Sequence, residues 1–216
     1  TSSTGTLTVT NGAASGSLTT TDHRINLKIV NDGANPVALV KNNYNSLVLN
    51  QANTHSGGTT INGGRINADH LSAFGTGTVT VNSGGQAYLT QSGTYANAFT
   101  IAGNGVTEAA GALGAIRFSS NTIGGNVTVA AGGARVVGYL GSNGTIAGNL
   151  LGSGNLEINI AGNSSANGTI SLTGSGSSHI GTISVSGGRF NMGSALGGSV
   201  IVADGATLGD EGSIAG

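Results

Sequence analysis

Four histidines and one short acidic cluster are the side chains of this sequence best suited to chemistry. The histidines are His23, His55, His70 and His179. Two of them directly follow an aspartate, in Asp22-His23 and Asp69-His70, but adjacent residues of a strand point to opposite faces, which is poor geometry for a base and the group that orients it. If the chain coils, His23, His55 and His70 would approach one another in a weak divalent-metal site. We favour the alternative that the histidines lie in exposed loops.

The acidic residues indicate catalysis equally weakly. Asp204, Asp210 and Glu211 form one acidic cluster, and a two-carboxylate glycosidase site would need about 5–10 Å between its carboxyl groups; we favour a polar corner. Gly174-Ser175-Gly176 resembles a linker more than a nucleophile elbow, which needs a strand-to-helix turn. The sequence therefore predicts no catalytic residues, no cofactor and no metal site. A polysaccharide lyase or glycosidase on the same scaffold is the alternative.

Glycine dominates the composition and charge is scarce. Of 216 residues, 41 are glycine, one is proline, none is cysteine and 7% are charged. A net charge of −1 with 37% apolar residues argues against a disordered chain and against nucleic acid as a partner. One proline excludes collagen, and no apolar run reaches the length of about 18 residues that a membrane-spanning helix needs. No signal peptide opens the chain at Thr1, so we expect a segment of a longer protein.

Short alternating runs of β-branched residues recur along the chain. Runs beginning at Gly5, Gly77, Gly125 and Gly198 align with one another at spacings of 72, 48 and 73 residues, close to three, two and three multiples of roughly 24. Each run is typical of a short strand that ends in a glycine-containing corner. This pattern predicts an all-β parallel β-helix, a solenoid of roughly nine turns over residues 1–216. We expect slender Val, Ile, Leu and Ala side chains inside and Thr, Ser and Asn outside.

Residues 22–46 depart from the repeating pattern. They contain Asp22, Arg24, Lys28, Asp32 and Lys41 together with the only proline, Pro36. We expect an elaborated turn with a loop around Asn31 to Asn35, since loops commonly gather polar residues. A surface patch for recognition is the alternative.

Threonine pairs such as Thr8-Val-Thr10 and Thr78-Val-Thr80 are similar to those of ice-binding solenoids. That function requires a flat threonine array on nearly every turn. The runs drift to Asn-Val-Thr, Ile-Ser-Val and Val-Ile-Val further along the chain, so we expect the array to be broken.

The stretch from residue 39 to about 90 carries a specific set of spaced motifs. In order they are Leu39-Val-Lys-Asn42, Ser46-Leu-Val-Leu-Asn50, Ala52-Asn-Thr54, Ser56-Gly-Gly-Thr-Thr-Ile61, Gly63-Gly-Arg-Ile66 and Ala73-Phe-Gly-Thr-Gly-Thr-Val-Thr-Val81. This stretch resembles the autotransporter-associated β-strand repeat of type Va autotransporter passenger domains from Gram-negative bacteria. His55 stands where the repeat usually has an aromatic residue, and Phe74 where leucine is common. Residues 187–210 resemble its second half more weakly.

The resemblance implies a right-handed parallel β-helix that is exported through the periplasm and outer membrane to the cell surface. Export would use a C-terminal translocator barrel beyond this segment, which would be the only membrane contact, and a chain without disulfides passes such a barrel more easily. The function it implies is an adhesin or self-associating stalk, with roles in cell aggregation, biofilm, and host or matrix attachment. Expected partners are a second copy through the β-helix faces, a host matrix protein or a glycan. A passive spacer that promotes passenger folding and secretion is the alternative.

Overall fold

The computed structural model describes residues 4–12, 22–161 and 168–209. Within these ranges the regular secondary structure consists of β-strands, with no helix. The described strands are numbered β1 to β23 in chain order, and all except β11 and β12, which form a separate hairpin, lie in three rows. Within a row, neighbouring strands are parallel and come from successive turns of the coil. The predicted all-β parallel β-helix is confirmed.

The first row, named the first face, contains the strands whose repeating pattern is clearest in the sequence. It consists of β1 (Gly5–Thr10), β3 (Val37–Asn42), β5 (Thr59–Ile61), β7 (Val79–Val81), β10 (Phe99–Gly103), the first residues of β15 (Val127–Tyr139), and β17 (Leu150–Gly152). Successive partners are Leu7, Leu39, Thr59, Val79, Phe99 and Val127. The runs at Gly5, Gly77 and Gly125 therefore lie three turns and then two turns apart, as their spacing predicts.

The second row, named the second face, is the longest. It consists of β2 (Asp22–Ile25), β4 (Ser46–Leu49), β6 (Gly64–Ala68), β8 (Gly85–Leu89), β13 (Ile116–Phe118), the last residues of β15, β18 (Leu156–Ala161), β20 (Ile183–Val185) and β22 (Val200–Val202). These nine strands of the described chain agree with the expected number of turns. Turn length varies, because the register partners Ala87 and Ile116 lie 29 residues apart while Ile116 and Val136 lie 20 apart.

The third row, named the third face, begins later in the chain. It consists of β9 (Gly93–Tyr95), β14 (Asn121–Ile123), β16 (Gly144–Ile146), β19 (Thr169–Leu172), β21 (Arg189–Met192) and β23 (Thr207–Gly209). In the preceding turns this side has no regular strand, and a buried asparagine links the turns instead. Asn53 Oδ1 accepts from Ile29 N at 2.9 Å, and its Nδ2 donates to Ala73 O at 2.6 Å.

The run at Gly198 differs from the other three in its position. Its strand, β22, pairs with Ile183–Val185 on the second face. The alignment of this run with the three runs of the first face was therefore wrong. In the corresponding turns the first-face position is taken by chain without strand structure, where Ser178 N and Ile180 N donate to Leu150 O and Gly152 O at 3.0 Å. A short strand pattern does not specify which row the strand joins.

The interior is wider than the sequence indicated. Aliphatic columns such as Ile61, Val81 and Ile101 line it as expected, but the four phenylalanines are also inside: Phe74, Phe99, Phe118 and Phe190. Glycine makes room for these rings, since a Cβ on Gly144 would collide with the ring of Phe118. The prediction that only slender side chains fit was therefore wrong.

Candidate functional site

The histidines lie in two different environments. His23 is exposed and His70 is half-buried, whereas His55 and His179 are fully buried; these two lie between strands as expected, but the expectation that they are exposed is wrong. The Thr59 hydroxyl donates to Phe74 O at 3.0 Å, and His55 Nε2 shares a hydrogen bond with that hydroxyl at 3.0 Å. The Thr59 hydroxyl thus provides a hydrogen-bond partner for the buried Nε2 of His55. In the described ranges no three His, Asp or Glu side chains form a group suited to a metal.

Burial of these two histidines makes the fold sensitive to acid. Burial lowers the pKa of both His55 and His179 from the ordinary value of 6.5. Below pH 6.5 the unfolded chain therefore binds protons that the folded chain does not, and the free energy of unfolding falls as pH falls, by at most about 1.4 kcal/mol per pH unit for each histidine.

We expect a lower urea midpoint at pH 5 than at pH 7.5. A His23→Gln chain should keep this difference, because His23 is exposed in both states. A chain that is equally stable at both pH values would contradict the prediction.

The other predicted candidates form no catalytic arrangement among the described residues. Asp204 is exposed in the turn between β22 and β23, while Asp210 and Glu211 lie outside the described residues. Ser175 is exposed at a turn between β19 and β20. Asp69 accepts from Thr90 Oγ1 at 2.5 Å and lies 3.8 Å from Arg24, so it contacts neighbouring turns of the coil.

Lys41 does not belong to a surface cluster, although it lies in the charged segment 22–46. Its side chain is fully buried, and Nζ donates to Asn43 O at 2.6 Å, Asn42 O at 2.7 Å and Gly63 O at 3.1 Å. Burial lowers its pKa to about 8, so the ammonium still carries its charge at neutral pH and needs these acceptors. Asp32 and Asn35 of the same segment pair across a tight turn.

Charge is distributed unevenly over the faces. In the described strands of the first face, no outward side chain is charged, since Lys41 points inward. The second face instead carries six charged residues on its strands: Asp22, Arg24, Arg65, Arg117, Arg135 and Glu157. The candidate site therefore lies on the second face.

Two arginines and two tyrosines meet in the middle of that face. Arg117 lies between the rings of Tyr88 and Tyr139, with its Cζ 4.1 Å and 3.4 Å from the ring centroids, and Arg65 Cζ lies 5.5 Å from the Tyr88 centroid. These contacts are cation–π interactions. We name Arg65, Tyr88, Arg117 and Tyr139 the arginine–tyrosine site.

A hairpin covers this site. It spans residues 104–114, with β11 (Thr107–Glu108) antiparallel to β12 (Gly111–Ala112). Its Glu108 carboxylate forms an ion pair with Arg65 and lies 3.5 Å from Arg117 Nη1. Burial, and next the positive charge of Arg65, lower the pKa of Arg117, while Tyr88 and Glu108 oppose that shift.

The base of the hairpin is fixed by buried contacts. Gln86 is fully buried; its Oε1 accepts from Arg65 Nε at 2.6 Å, and its Nε2 donates to Leu113 O and Gly114 O at 2.8 Å. Leu113 also packs with Val137 and Tyr139 in a small cluster of its own, outside the main core.

A second ion pair lies next to the hairpin. Arg135 binds Glu157 with two hydrogen bonds of 2.7 and 2.8 Å and donates to Ala112 O at 2.9 Å, and Ser186 Oγ donates to Glu157 Oε1 at 2.6 Å. A groove of about 340 Å³ lies beside this pair. Its polar lining includes Asn104, Asn155, Glu157, Ser184 and Ser186.

The first face presents an uncharged array instead. Thr60, Thr80, Thr100 and Thr128 are aligned on successive turns, with Val40 and Leu151 before and after them. Beside them, Asn62 Nδ2 donates to Asn42 Oδ1 at 2.8 Å and Asn82 Nδ2 to Asn62 Oδ1 at 2.7 Å. We name these seven Thr and Asn residues the threonine–asparagine array. Threonine occupies four successive turns and is replaced by Val40 before them and Leu151 after them, so the array is interrupted, as expected.

The arginine–tyrosine site is not evident from the sequence, because its residues lie far apart along the chain. Glu108 and Arg65 are 43 residues apart, and the hairpin lengthens its turn to 29 residues. A usable signal was present, since Tyr139 follows Arg117 and Glu157 follows Arg135 by 22 residues, close to one turn.

Together these features define a parallel β-helix with one uncharged face and one face carrying a covered arginine site. A curated relative, the adhesin BmaC autotransporter of Brucella suis biovar 1 (strain 1330), is 28% identical over 173 residues. That similarity covers 80% of this chain and 4% of the length of the relative. No family model and no solved structure match the chain. The described ranges contain no helix that could cross a bilayer.

Proposed function

We propose that this chain is a segment of the surface-exposed passenger of an autotransporter adhesin. The observation that carries the proposal is its similarity to an autotransporter adhesin over 80% of its length, together with the parallel β-helix fold. Such a location implies export across the periplasm and outer membrane. The proposal includes residues 39–90 as a copy of the autotransporter-associated β-strand repeat.

Within that passenger, the segment acts as a stalk that self-associates through the threonine–asparagine array. The array is aligned across four turns and uncharged, so two copies can approach without repulsion and exchange hydrogen bonds and van der Waals contacts. Like charges facing each other at an interface cost several kcal/mol, which the first face avoids. Contact between copies on neighbouring cells would produce aggregation and contribute to biofilm.

The ion pairs of the second face favour a binding protein over an enzyme. Glu108 and Glu157 each bind arginine, whereas a glycosidase needs one carboxylic acid that is protonated and one that is free to act as base or nucleophile. A passive spacer that promotes folding and secretion is the second candidate, since a stack of nine strands supplies rigidity without any partner.

A pair of charged substitutions tests self-association. We expect a Thr80→Glu/Thr100→Glu chain to remain monomeric in analytical ultracentrifugation at concentrations where the unmodified chain forms dimers or larger species. The matched control is Thr122→Glu/Thr145→Glu on the third face, where these residues are also aligned; it should still associate.

Cells that express the full-length protein provide the second measurement. They should clump, and the first-face variant should abolish clumping. If the unmodified chain stays monomeric in solution and the cells do not clump, self-association is contradicted and the spacer function is supported instead.

A further inference from the structure

The arginine–tyrosine site contains buried polar atoms that the chain itself does not satisfy. Arg117 is 3% exposed, and its Nε and Nη1 make no hydrogen bond. Asn67, which is the register partner of Tyr88, has a buried Oδ1 that also makes none. Buried polar groups are almost always hydrogen-bonded in folded proteins. Arg117 Nε and Asn67 Oδ1, on the two strands that flank β8, are therefore available to a ligand, and Nη1 becomes available when Glu108, 3.5 Å away, is displaced.

Asn67 and Arg117 are the register partners of Tyr88 on its two sides. Arg117 and Arg65 both lie against the ring of Tyr88, and Asn67 is on the neighbouring strand, about 4.8 Å away. The charges of the site do not balance, because two arginines share the single carboxylate of Glu108. A second carboxylate would neutralise the site, and arginine binds carboxylates in a bidentate geometry.

The hairpin is attached differently at its base and at its tip. At the base, Gly114 N donates to Asn104 O and Leu113 N to Val106 O, both at 2.9 Å, and Gln86 holds two further carbonyls. At the tip, Ala109 and Ala110 are exposed. The tip contacts the second face through Glu108 and through Ala112 O, which accepts from Arg135. A competing carboxylate can therefore release the tip while the base stays in place.

We infer that the arginine–tyrosine site binds the carboxylate of an acidic sugar unit, and that Glu108 occupies this site until the ligand displaces it. The carboxylate of the sugar binds Arg65 and Arg117, and a sugar hydroxyl donates to Asn67 Oδ1. This site lies on the second face, whereas self-association uses the first face. If the test of self-association fails, the inference of a ligand site still stands, and the reverse is also true.

The sheet itself favours a sugar over an acidic peptide. Extended peptides commonly bind by pairing with a free strand edge. The strands β6, β8, β13 and β15 around the site are each paired on both sides, so a peptide backbone finds no edge here. Side chains alone must bind the ligand, as the arginine and asparagine groups do.

Removal of the internal carboxylate tests the inference directly. With the 216-residue chain and D-glucuronate as the probe, we expect Glu108→Gln to bind about tenfold more tightly than the unmodified chain in NMR or calorimetric titration, since the neutral amide no longer competes for the arginines. Adding Arg65→Gln to that variant should abolish the gain. Asp204→Asn, which removes an exposed carboxylate elsewhere, should bind as the unmodified chain does, and D-glucose should not bind.

Hydrogen exchange of the unmodified chain is the second readout, and it does not depend on the folding of any variant. Saturating glucuronate should speed exchange of the amides at 107–112 and leave those of 85–89 unchanged. The inference is overturned if exchange at 107–112 does not change and Glu108→Gln gains no affinity. Equal or tighter binding of triglutamate would overturn the choice of a sugar.

Discussion

A Phe74→Ala chain should lose about 3–5 kcal/mol of unfolding free energy, the largest effect that we expect from a single side-chain truncation here. Phe74 is fully buried, and its ring lies 6.1 Å from that of Tyr95 and 5.8 Å from that of Phe99. Alanine would leave a cavity between stacked turns, because hydrogen bonds from Asn53 to Ala73 O and from Thr59 to Phe74 O hold this segment in place. Urea denaturation followed by circular dichroism measures the loss.

Two matched variants separate the cavity from other causes. Phe74→Leu, which introduces the residue common in the autotransporter repeat, should lose less than about 1.5 kcal/mol. Leu27→Ala should change stability by less than about 0.5 kcal/mol, because Leu27 is 80% exposed. A Phe74→Ala chain as stable as the Leu27→Ala chain would show that the ring does not support the core.

The second large effect is expected from Lys41→Met, with a loss of about 3 kcal/mol. Methionine has a similar length, but it leaves the carbonyls of Asn42, Asn43 and Gly63 without the donor that now lies 2.6–3.1 Å away. Two of these carbonyls are at a corner where Asn43 has a left-handed backbone, with φ of 63°. The corner depends on the ammonium because this single group donates to all three oxygens.

The control for this substitution is Lys28→Met, which removes the same charge from an exposed position and should change stability by less than about 0.5 kcal/mol. Thermal unfolding of the two variants side by side makes the comparison. If both lose the same amount, then net charge matters and the three carbonyl contacts do not.

The sequence predicted the coil well where strands and corners repeat. The spacing of Gly5, Gly77 and Gly125 placed three strands in one row, because the same inward column must be filled on every turn. The run at Gly198 failed, since its β-branched residues fit any face of the coil. Local pattern determines that a strand forms, and only stacking determines which row it joins.

Polar residues were the less predictable part. The sequence predicts Lys41 and His55 to be surface residues. The buried carbonyl and hydroxyl oxygens with which they form hydrogen bonds are brought close only when the turns stack. The arginine–tyrosine site escaped detection for a related reason. Its members come from turns of unequal length, and its carboxylate comes from a hairpin that the repeat does not contain.

That hairpin shows where the coil accepts additional sequence. Residues 104–114 leave the stack and return between Gly105 and Gly114, and the strands on both sides, β10 and β13, still pair with their neighbours, although the register of β10 with β15 shifts between Ile101 and Gly103. The entropic penalty of a longer loop grows only slowly with its length. The exposed Ala109-Ala110 tip is therefore an insertion point, where an epitope or a small folded module could be grafted while the rod beneath it is conserved.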